Sequence, residues 1–275
     1  MRETDVELGS RTLHAYDTEA GDLTVFWHHG TPNVGNPPAP LFPVSERLGI
    51  RWVSYDRPGY GGSTPRPGRD IASAAEDAAA VADALGVDRF AVLGHSGGGP
   101  HALACAALLP DRVLAAASGS GMAPFGAAGL DWFAGMAAPG GLRAAVAGRA
   151  AKEAYEADPP PEPGGVFTPA DLAALEGDWS WFMSVVNPAV ADGPGPLIDD
   201  DLAYVAPWGF DPATIAVPTL IVHGTADVMV PAAHASWLAA RIPGAVLRLA
   251  EGEGHISVLA SDGPAILEWL ARHAA

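Results

Sequence analysis

The feature that most constrains the fold of this chain is a glycine-flanked serine between an apolar run and a helical pattern. Residues 90–93 form a continuous apolar run, typical of a strand covered on both faces in a parallel sheet. The run leads directly into Gly-His-Ser-Gly-Gly at 94–98. A sharp strand-to-helix turn strains the backbone of its central residue and leaves no room for nearby side chains. We therefore expect Ser96 to project alone, with a helix N-terminus directed at it.

Short apolar runs alternate with helical patterns over the first third of the chain, and the alternation resumes near the C-terminus. This alternation is typical of strand-helix-strand units and a mostly parallel sheet. The sequence therefore predicts an α/β fold. The predicted strands are residues 23–28, 51–55, 89–93, 113–117, 218–223 and 245–249, with helices over 71–85 and 232–241 and a terminal helix from about residue 262.

The middle of the chain breaks this alternation. Residues 122–210 are irregular, helical in pattern and rich in aromatic side chains, and a proline- and glycine-rich stretch at 159–165 interrupts them as a turn or extended linker. We interpret 122–210 as a helical cap inserted into a core made of residues 1–121 and 211–275.

Several side chains of the expected cap are candidates to line an apolar substrate pocket. They are Trp132, Trp181 and Phe182, joined from the core by His95, which lies within the serine turn. The alternative for each aromatic side chain is a place in the core of the cap itself.

A serine nucleophile needs a neighbouring base, and the base needs an acid that orients it. His255 is the histidine that follows the last predicted strand, in a loop that can reach the carboxyl edge of the sheet. Asp227 occupies the loop after strand 218–223, also at a carboxyl edge. We therefore predict a triad of Ser96, Asp227 and His255, with helix capping as the alternative role of Asp227.

Other acidic residues compete with Asp227 for this role. Glu251 and Glu253 lie only a few residues from His255. The run Asp199-Asp200-Asp201 lies within the expected cap, and runs of charge are usually solvated faces.

The oxyanion formed by attack on a carbonyl needs two N–H donors. Gly97, directly after the serine, is predicted to supply one and Thr31, in the loop after strand 23–28, the other. His28 and His29 are neighbours on a strand and point to opposite faces, which argues against a shared metal ion. We expect His29 to brace the loop by hydrogen bonding, and we expect no metal site.

Composition excludes several classes of partner. Asp and Glu outnumber Lys and Arg by 32 to 15, a formal charge of −17, so the chain repels phosphate backbones and anionic lipid surfaces. The one cysteine, Cys105, cannot form an intrachain disulfide. The N-terminus lacks the apolar segment of a signal peptide, and no run approaches the length of a membrane span. We expect a cytoplasmic protein that binds a small molecule; the sequence gives no oligomeric state.

Five motifs in order resemble the α/β-hydrolase superfamily: residues 29–32, 55–63, 94–98, 224–227 and 254–255. The resemblance implies an eight-stranded, mostly parallel sheet with a helical cap after the sixth strand, and it supports the triad. It also implies that the loop at 56–63 is structural rather than catalytic.

Within this superfamily, a serine at the turn favours acyl transfer over the alkyl displacement of members that carry aspartate there. The expected activity is hydrolysis of a small to medium, largely apolar carboxylic ester without a cofactor. The motif at 29–32 also resembles proline iminopeptidases and carbon–carbon bond hydrolases, so amide and ketone substrates stay open. Asp178, Asp192 or Asp199–Asp201 would then be candidates to bind a substrate amine. A ligand-binding protein with little turnover is the alternative of another class.

Overall fold

A single eight-stranded sheet organises the chain. The computed structural model describes residues 1–161 and 164–274. The strands lie in the order β1-β2-β4-β3-β5-β6-β7-β8; β1 and β2 run antiparallel to their neighbours, and all later pairs are parallel. This arrangement confirms the eight-stranded, mostly parallel sheet expected from the motifs. The strands are β1 (Arg2–Leu8), β2 (Arg11–Asp17), β3 (Leu23–His28), β4 (Ile50–Tyr55), β5 (Phe90–His95), β6 (Val113–Gly119), β7 (Thr219–Gly224) and β8 (Val246–Ala250).

Helices connect the parallel strands, and five of the described α-helices lie between β6 and β7. The helices are α1 (Phe42–Leu48), α2 (Ser73–Ala84), α3 (Gly98–Leu108), α4 (Gly140–Val146), α5 (Arg149–Ala157), α6 (Pro169–Glu176), α7 (Phe182–Val190), α8 (Gly195–Val205), α9 (Ala233–Arg241) and α10 (Ser257–His273). We call the chain from β6 to β7 the insertion. Its division from the core at residues 122 and 210 stays a prediction, and residues 162 and 163 of the predicted linker lie outside the described part.

The N-terminal hairpin β1–β2 has no counterpart among the strands predicted from apolar runs. β1 is the outer strand of the hairpin, and Val6 is its only buried residue. A strand with one buried side chain carries almost no hydrophobic pattern, so the signal on which strand prediction depends is missing here.

The core lies on both faces of the sheet because successive strand residues point to opposite sides. On β5, Phe90 and Val92 belong to the apolar cluster that includes α2 and α3, whereas Ala91 and Leu93 belong to the cluster that includes α10. All four side chains are fully buried. The continuous apolar run at 90–93 is thus explained by a central strand covered on both faces.

The last helix begins earlier than its local sequence indicates. α10 begins at Ser257, five residues before the predicted start near Asp262. The backbone N–H groups of Ile256 and Ser257 donate to the carboxylate of Asp171 in α6, at 2.7 and 2.8 Å. Since a free N–H at a helix start needs an acceptor, a residue distant in sequence stabilises this first turn.

None of the helices in the described ranges is long and apolar enough to cross a membrane. The longest, α10, has 17 residues and carries polar and charged side chains.

Truncation of a buried side chain in α3 should destabilise the fold, whereas truncation of an exposed one in the same helix should not. Leu103 is fully buried and Leu108 is 43% exposed. We expect Leu103→Ala to lower the free energy of unfolding by about 2–5 kcal/mol, because it leaves a cavity. Leu108→Ala should change it by no more than about 0.5 kcal/mol. Urea denaturation monitored by circular dichroism measures both; equal effects would contradict the assigned core.

Candidate active site

Ser96 lies in a strained turn between β5 and α3. Its φ of 54° is in the left-handed region. This conformation is energetically unfavourable for any residue that carries a side chain. Its N–H donates to Gly119 O at 2.8 Å, and its carbonyl accepts the N–H of Gly99 at 2.9 Å. A Cβ on Gly94 or Gly98 would collide with backbone atoms, so glycine is required on both sides. Ser96 is partly exposed between buried neighbours, as expected from the sequence.

His255 and Asp227 form a buried hydrogen-bonded pair. The loop after β7 carries Asp227 and the loop after β8 carries His255, and the distance from His255 Nδ1 to Asp227 Oδ2 is 2.8 Å. The other carboxylate oxygen of Asp227 accepts the N–H groups of Met229 and Val230, both at 2.9 Å. These contacts fix the carboxylate. With Nδ1–H donated to Asp227, His255 Nε2 keeps a free lone pair.

The surroundings of this pair shift the pKa values of its two members in opposite directions. Burial disfavours the imidazolium, but the negative charge and hydrogen bond of Asp227 outweigh burial, and the pKa of His255 is raised above 6.5. Burial also disfavours the Asp227 carboxylate, yet His255 and His223 more than compensate, so the pKa of Asp227 is well below its usual range. Asp227 therefore stays ionised while His255 exchanges its proton.

His95 connects the serine turn to the loop after β8 that carries His255, called the histidine loop below. Its ring lies 5.1 Å from the ring of His255, centroid to centroid, and its Nε2 is 2.8 Å from the carbonyl oxygen of His255. Burial and the neighbouring His255 lower the pKa of His95 to about 3. His95 is therefore neutral and not a candidate base. Within the described chain, Ser96 Oγ makes no direct hydrogen bond to His255. Hydrogen bonds between a nucleophile and its base often tighten only when substrate binds.

The loop after β3 lies against the serine turn. A Cβ on Gly30 would lie 3.6 Å from Ser96 Cβ, and one on Gly97 would lie 2.6 Å from Thr31 Oγ1. The two predicted oxyanion donors, the N–H groups of Thr31 and Gly97, thus belong to adjacent segments beside Ser96. Neither N–H donates a hydrogen bond to another described residue.

Arg57 sets the direction of the Thr31 amide. Its guanidinium donates to the carbonyl oxygens of His29 and Gly30, the latter at 2.9 Å. The Gly30–Thr31 peptide is trans, and in a trans peptide the C=O and the following N–H point in opposite directions. The Thr31 N–H therefore points away from Arg57. This contact explains why the 56–63 loop lies beside the loop after β3, which carries the predicted donor Thr31 and is called the oxyanion loop below.

A carboxylate from the insertion holds Arg57 in place. Asp200, in α8, is fully buried and forms ion pairs of 2.6 Å with both Arg57 and Arg69. It also accepts hydrogen bonds from Tyr60 Oη at 2.9 Å and from Thr31 Oγ1 at 2.5 Å. Burial opposes ionisation of Asp200, but the two guanidinium groups keep its pKa well below the usual range.

The interpretation of Asp199-Asp200-Asp201 as a solvated face is wrong. All three residues are buried, with 7, 0 and 8% of their surface exposed. Asp199 pairs with Arg149, and Asp201 lies 2.6 Å from the ammonium of Lys152. Each carboxylate is buried because a cation from another segment neutralises it.

The four predicted pocket residues lie in different places. Phe182 packs on His95 with ring centroids 5.8 Å apart, and Trp181 packs on Phe182 at 5.1 Å. Trp132 is buried elsewhere, against His234, with its indole N–H donating to Ala123 O at 2.7 Å. Of the three predicted aromatic residues, Phe182 is therefore the one that contacts the histidine cluster, by which we mean His95 and His255. The pocket roles of all four stay predictions.

The adjacent histidines at the end of β3 have separate partners. His28 Nε2 faces Cys105 Sγ at 3.5 Å, whereas His29 Nδ1 contacts Gly30 O at 2.8 Å and its Nε2 accepts the N–H of Arg57 at 3.0 Å. His29 thus braces the loop as expected. In residues 1–161 and 164–274, no three His, Cys, Asp or Glu side chains are grouped so as to hold a metal ion.

Sequence reasoning missed the contribution of the insertion. The sequence alone places Arg57 in a structural loop and Asp200 in a solvated run, and it does not single out Asp171. The local pattern carries one signal for Asp171, a Thr168-x-x-Asp171 capping box with a proline in the first turn of α6. The distant partners of these three residues leave no trace in their local sequence.

Comparison with known proteins identifies the family. A family model described as the alpha/beta hydrolase fold matches residues 24–262. A non-heme chloroperoxidase of Streptomyces lividans is 31% identical over 250 residues, which cover 85% of each chain. A bromoperoxidase from Bacillus anthracis has a TM-score of 0.75 at 20% identity, covering 98% of this chain and 100% of that chain. A thermophilic esterase from Thermogutta terrifontis has a TM-score of 0.71 at 20% identity over all of both chains.

The raised pKa of His255 predicts how reactivity at Ser96 depends on pH. A base must be unprotonated to accept a proton, so reactivity should be lost as the pH falls through a pKa above 6.5. Asp227→Asn should lower that pKa and reduce the maximal rate by about 10⁴-fold, because the imidazole loses its orientation. The rate of labelling by a fluorophosphonate, measured between pH 5 and 9, tests both effects. Asp211→Asn, at a surface pair, is the control and should reproduce the parent profile.

Loss of the Asp200 charge should affect stability and its acid dependence. Asp200→Asn leaves two buried guanidinium groups without their anion, and we expect a loss of about 3–5 kcal/mol in the free energy of unfolding. A depressed carboxyl pKa contributes stability above the unfolded-state pKa of about 4 and loses it as the pH falls. The variant should therefore lose less stability between pH 6 and 3 than the parent. Urea denaturation at several pH values measures this slope, and identical slopes would contradict the assignment.

Proposed function

The chain belongs to the α/β-hydrolase family, and we propose that it is a serine hydrolase that acts on a small to medium, largely apolar carboxylic ester. The observation that carries the proposal is the 2.8 Å His255–Asp227 hydrogen bond, linked through His95 to the strained, partly exposed Ser96. This combination supports a nucleophile, a base with a raised pKa and an orienting acid whose lowered pKa keeps it ionised.

The first half-reaction forms an acyl-enzyme. His255 Nε2 takes the proton of the Ser96 hydroxyl as Oγ attacks the ester carbonyl, and Asp227 stabilises the resulting imidazolium. The N–H groups of Thr31 and Gly97 donate to the oxyanion. The C–O bond to the alcohol then breaks, and the alkoxide leaves with the proton from His255.

The second half-reaction releases the acid. Water gives a proton to His255 Nε2 and attacks the acyl carbon, passing through a second oxyanion at the same donors. The bond between the acyl carbon and Ser96 Oγ breaks, and Oγ recovers the proton. The products are one carboxylic acid and one alcohol, and His255 and Ser96 return to their starting forms.

The charges of the insertion favour an ester over an aminoacyl amide. An iminopeptidase needs carboxylates that can bind a substrate amine. Of the candidates for that role, Asp199, Asp200 and Asp201 are buried in ion pairs with Arg149, Arg57, Arg69 and Lys152. Asp178 and Asp192 are exposed. The three that are buried are already neutralised, which supports a substrate without an ammonium group.

The aromatic side chains beside the histidine cluster support an apolar acyl group. Phe182 stacks on Trp179 with centroids 5.6 Å apart and packs on His95, so an apolar surface adjoins the pair that activates Ser96. Carbon–carbon bond cleavage uses the same three side chains and is the enzymatic alternative. A ligand-binding protein with little turnover is the alternative of another class.

The similarity to a non-heme chloroperoxidase favours one further acceptor of the acyl group, besides water. An acyl-enzyme transfers its acyl group to whichever nucleophile reaches the carbonyl. Hydrogen peroxide in place of water would release a peroxycarboxylic acid and free Ser96, with the same proton transfers through His255. We propose this perhydrolysis as a second activity of the same site.

Replacement of Ser96 should abolish covalent labelling and ester turnover. We expect Ser96→Ala to lower kcat on p-nitrophenyl butyrate by roughly 10⁴- to 10⁶-fold and to prevent fluorophosphonate labelling, seen as the absence of the adduct by intact mass. Ser120→Ala is the matched control, since Ser120 is a buried serine with a similar φ of 49°. The control should keep most of the parent activity.

The same assay separates the alternatives. Aminoacyl p-nitroanilides and vinylogous diketones, run beside the esters, report amide and carbon–carbon cleavage. Hydrogen peroxide added during ester turnover should yield peroxyacid, detected by oxidation of iodide. Hydrolysis by Ser96→Ala at the parent rate would contradict the proposal, and a parent that neither labels nor turns over any substrate would favour the ligand-binding alternative.

A further inference from the structure

Asp171 places a buried carboxylate from the insertion against the loop that carries His255. It lies in the first turn of α6 and is fully buried. The loop approaches so closely that a Cβ on Gly254 would collide with Asp171 Oδ2. A carboxylate without solvent is costly unless nearly all of its lone pairs accept hydrogen bonds.

Five donors satisfy this carboxylate, and three of them are the backbone N–H groups of consecutive residues, 255–257, where the loop after β8 enters α10. Oδ1 accepts the N–H groups of Ile256 and Ser257 at 2.7 and 2.8 Å. Oδ2 accepts the N–H of His255 at 3.3 Å and the N–H and hydroxyl of Thr168, both at 3.0 Å. The backbone N–H of His255 itself is thus fixed to a side chain of the insertion.

The electrostatics favour this contact in the ionised form. Burial opposes ionisation of Asp171, but the N–H groups of Ser257, Thr168 and Ile256 outweigh burial and lower the pKa of Asp171 below its usual range. The carboxylate also lies at the N-terminus of α10, where the helix dipole stabilises negative charge. A local capping box alone would bring only the N–H of Thr168 to this carboxylate.

We propose that Asp171 is a positioning residue for His255, through which the insertion fixes the orientation of the base relative to Asp227 and Ser96. The proposal rests on the proposed function, in which His255 is the base. By holding three successive N–H groups, Asp171 determines the path of the backbone from which the imidazole projects. A small change in that path moves Nε2, and misplacement of a catalytic group by about 1 Å costs about 10²-fold in rate.

The charge of Asp171 also acts on the titration of His255. Four ionisable groups surround the imidazole: Asp227 from the loop after β7, His95 at the end of β5, His223 behind Asp227, and Asp171 from α6. Burial lowers the pKa of His255, Asp227 raises it most, and Asp171 adds to that rise. Removal of the Asp171 charge should therefore lower the pKa of His255, whereas a loss of fold stability alone, with His255 still paired to Asp227, would leave that pKa unchanged.

The test compares Asp171→Asn with Asp199→Asn in the full-length protein. Asp199 is also a buried aspartate of the insertion, but it pairs with Arg149 and touches neither His255 nor the oxyanion loop. We expect Asp171→Asn to lower kcat on p-nitrophenyl butyrate by about 10- to 100-fold with KM within about threefold. Asp199→Asn should stay within about threefold of the parent in both parameters.

Nuclear magnetic resonance titration of the His255 imidazole gives a measurement that does not require turnover. The signal is assigned by its loss in His255→Gln. We expect its pKa to fall in Asp171→Asn and to match the parent in Asp199→Asn. If Asp171→Asn does not fold, Asp171→Ser removes the same charge without placing an amide NH₂ against the loop and is titrated in its place.

The outcomes are distinct. An unchanged His255 pKa in the Asp171 variant, or equal losses of kcat in both variants, would overturn the positioning role. A parent that shows no labelling at Ser96 would instead overturn the proposed function, while the titration would still decide whether Asp171 acts on His255.

Discussion

The architecture of the site depends on burying the charge of Asp200. The buried carboxylate of Asp200 is shared between Arg57 and Arg69. Buried charges are tolerated only if each of them has a partner. The surplus positive charge is met by peptide carbonyls, because Arg57 also donates to His29 and Gly30, and Arg69 donates to Pro196 O. This requirement draws α8, the 56–63 loop and the oxyanion loop to one point.

The same requirement has a chemical consequence. The carbonyl dipoles of His29 and Gly30 would repel an oxyanion if they faced Ser96. Arg57 engages both oxygens, so the Thr31 N–H, opposed to the Gly30 carbonyl in the trans peptide, is left free. A buried ion pair contributes little stability relative to an apolar replacement of both partners, although the loss of one partner is costly. Such a pair can still fix which end of a peptide faces Ser96.

The sequence predicted those parts of the fold that depend on local pattern. The strand at 90–93, the turn at 94–98 and the two loops that bring Asp227 and His255 together are encoded in apolar runs followed by glycine, and the structure places them at one edge of the sheet. The hairpin strand β1 was not predicted because it buries only Val6. The start of α10 and the burial of Asp199–Asp201 were not predicted for another reason. Their stabilising partners are distant in sequence, and a run of aspartates has the same local pattern whether it faces water or arginine.

The insertion therefore has two kinds of segment with different tolerance to change. α6 and α8 each carry an aspartate whose removal leaves buried donors or cations unpaired, so their positions are coupled to the histidine loop and the oxyanion loop. α7 meets the site through the ring of Phe182, a contact of apolar surface that other hydrophobic side chains can replace at modest cost. The packing of α7 is thus freer to vary, while α6 and α8 keep the positions of the loops that carry His255 and Thr31. A helical insertion can in this way combine a replaceable apolar contact with fixed polar supports for the loops beneath it.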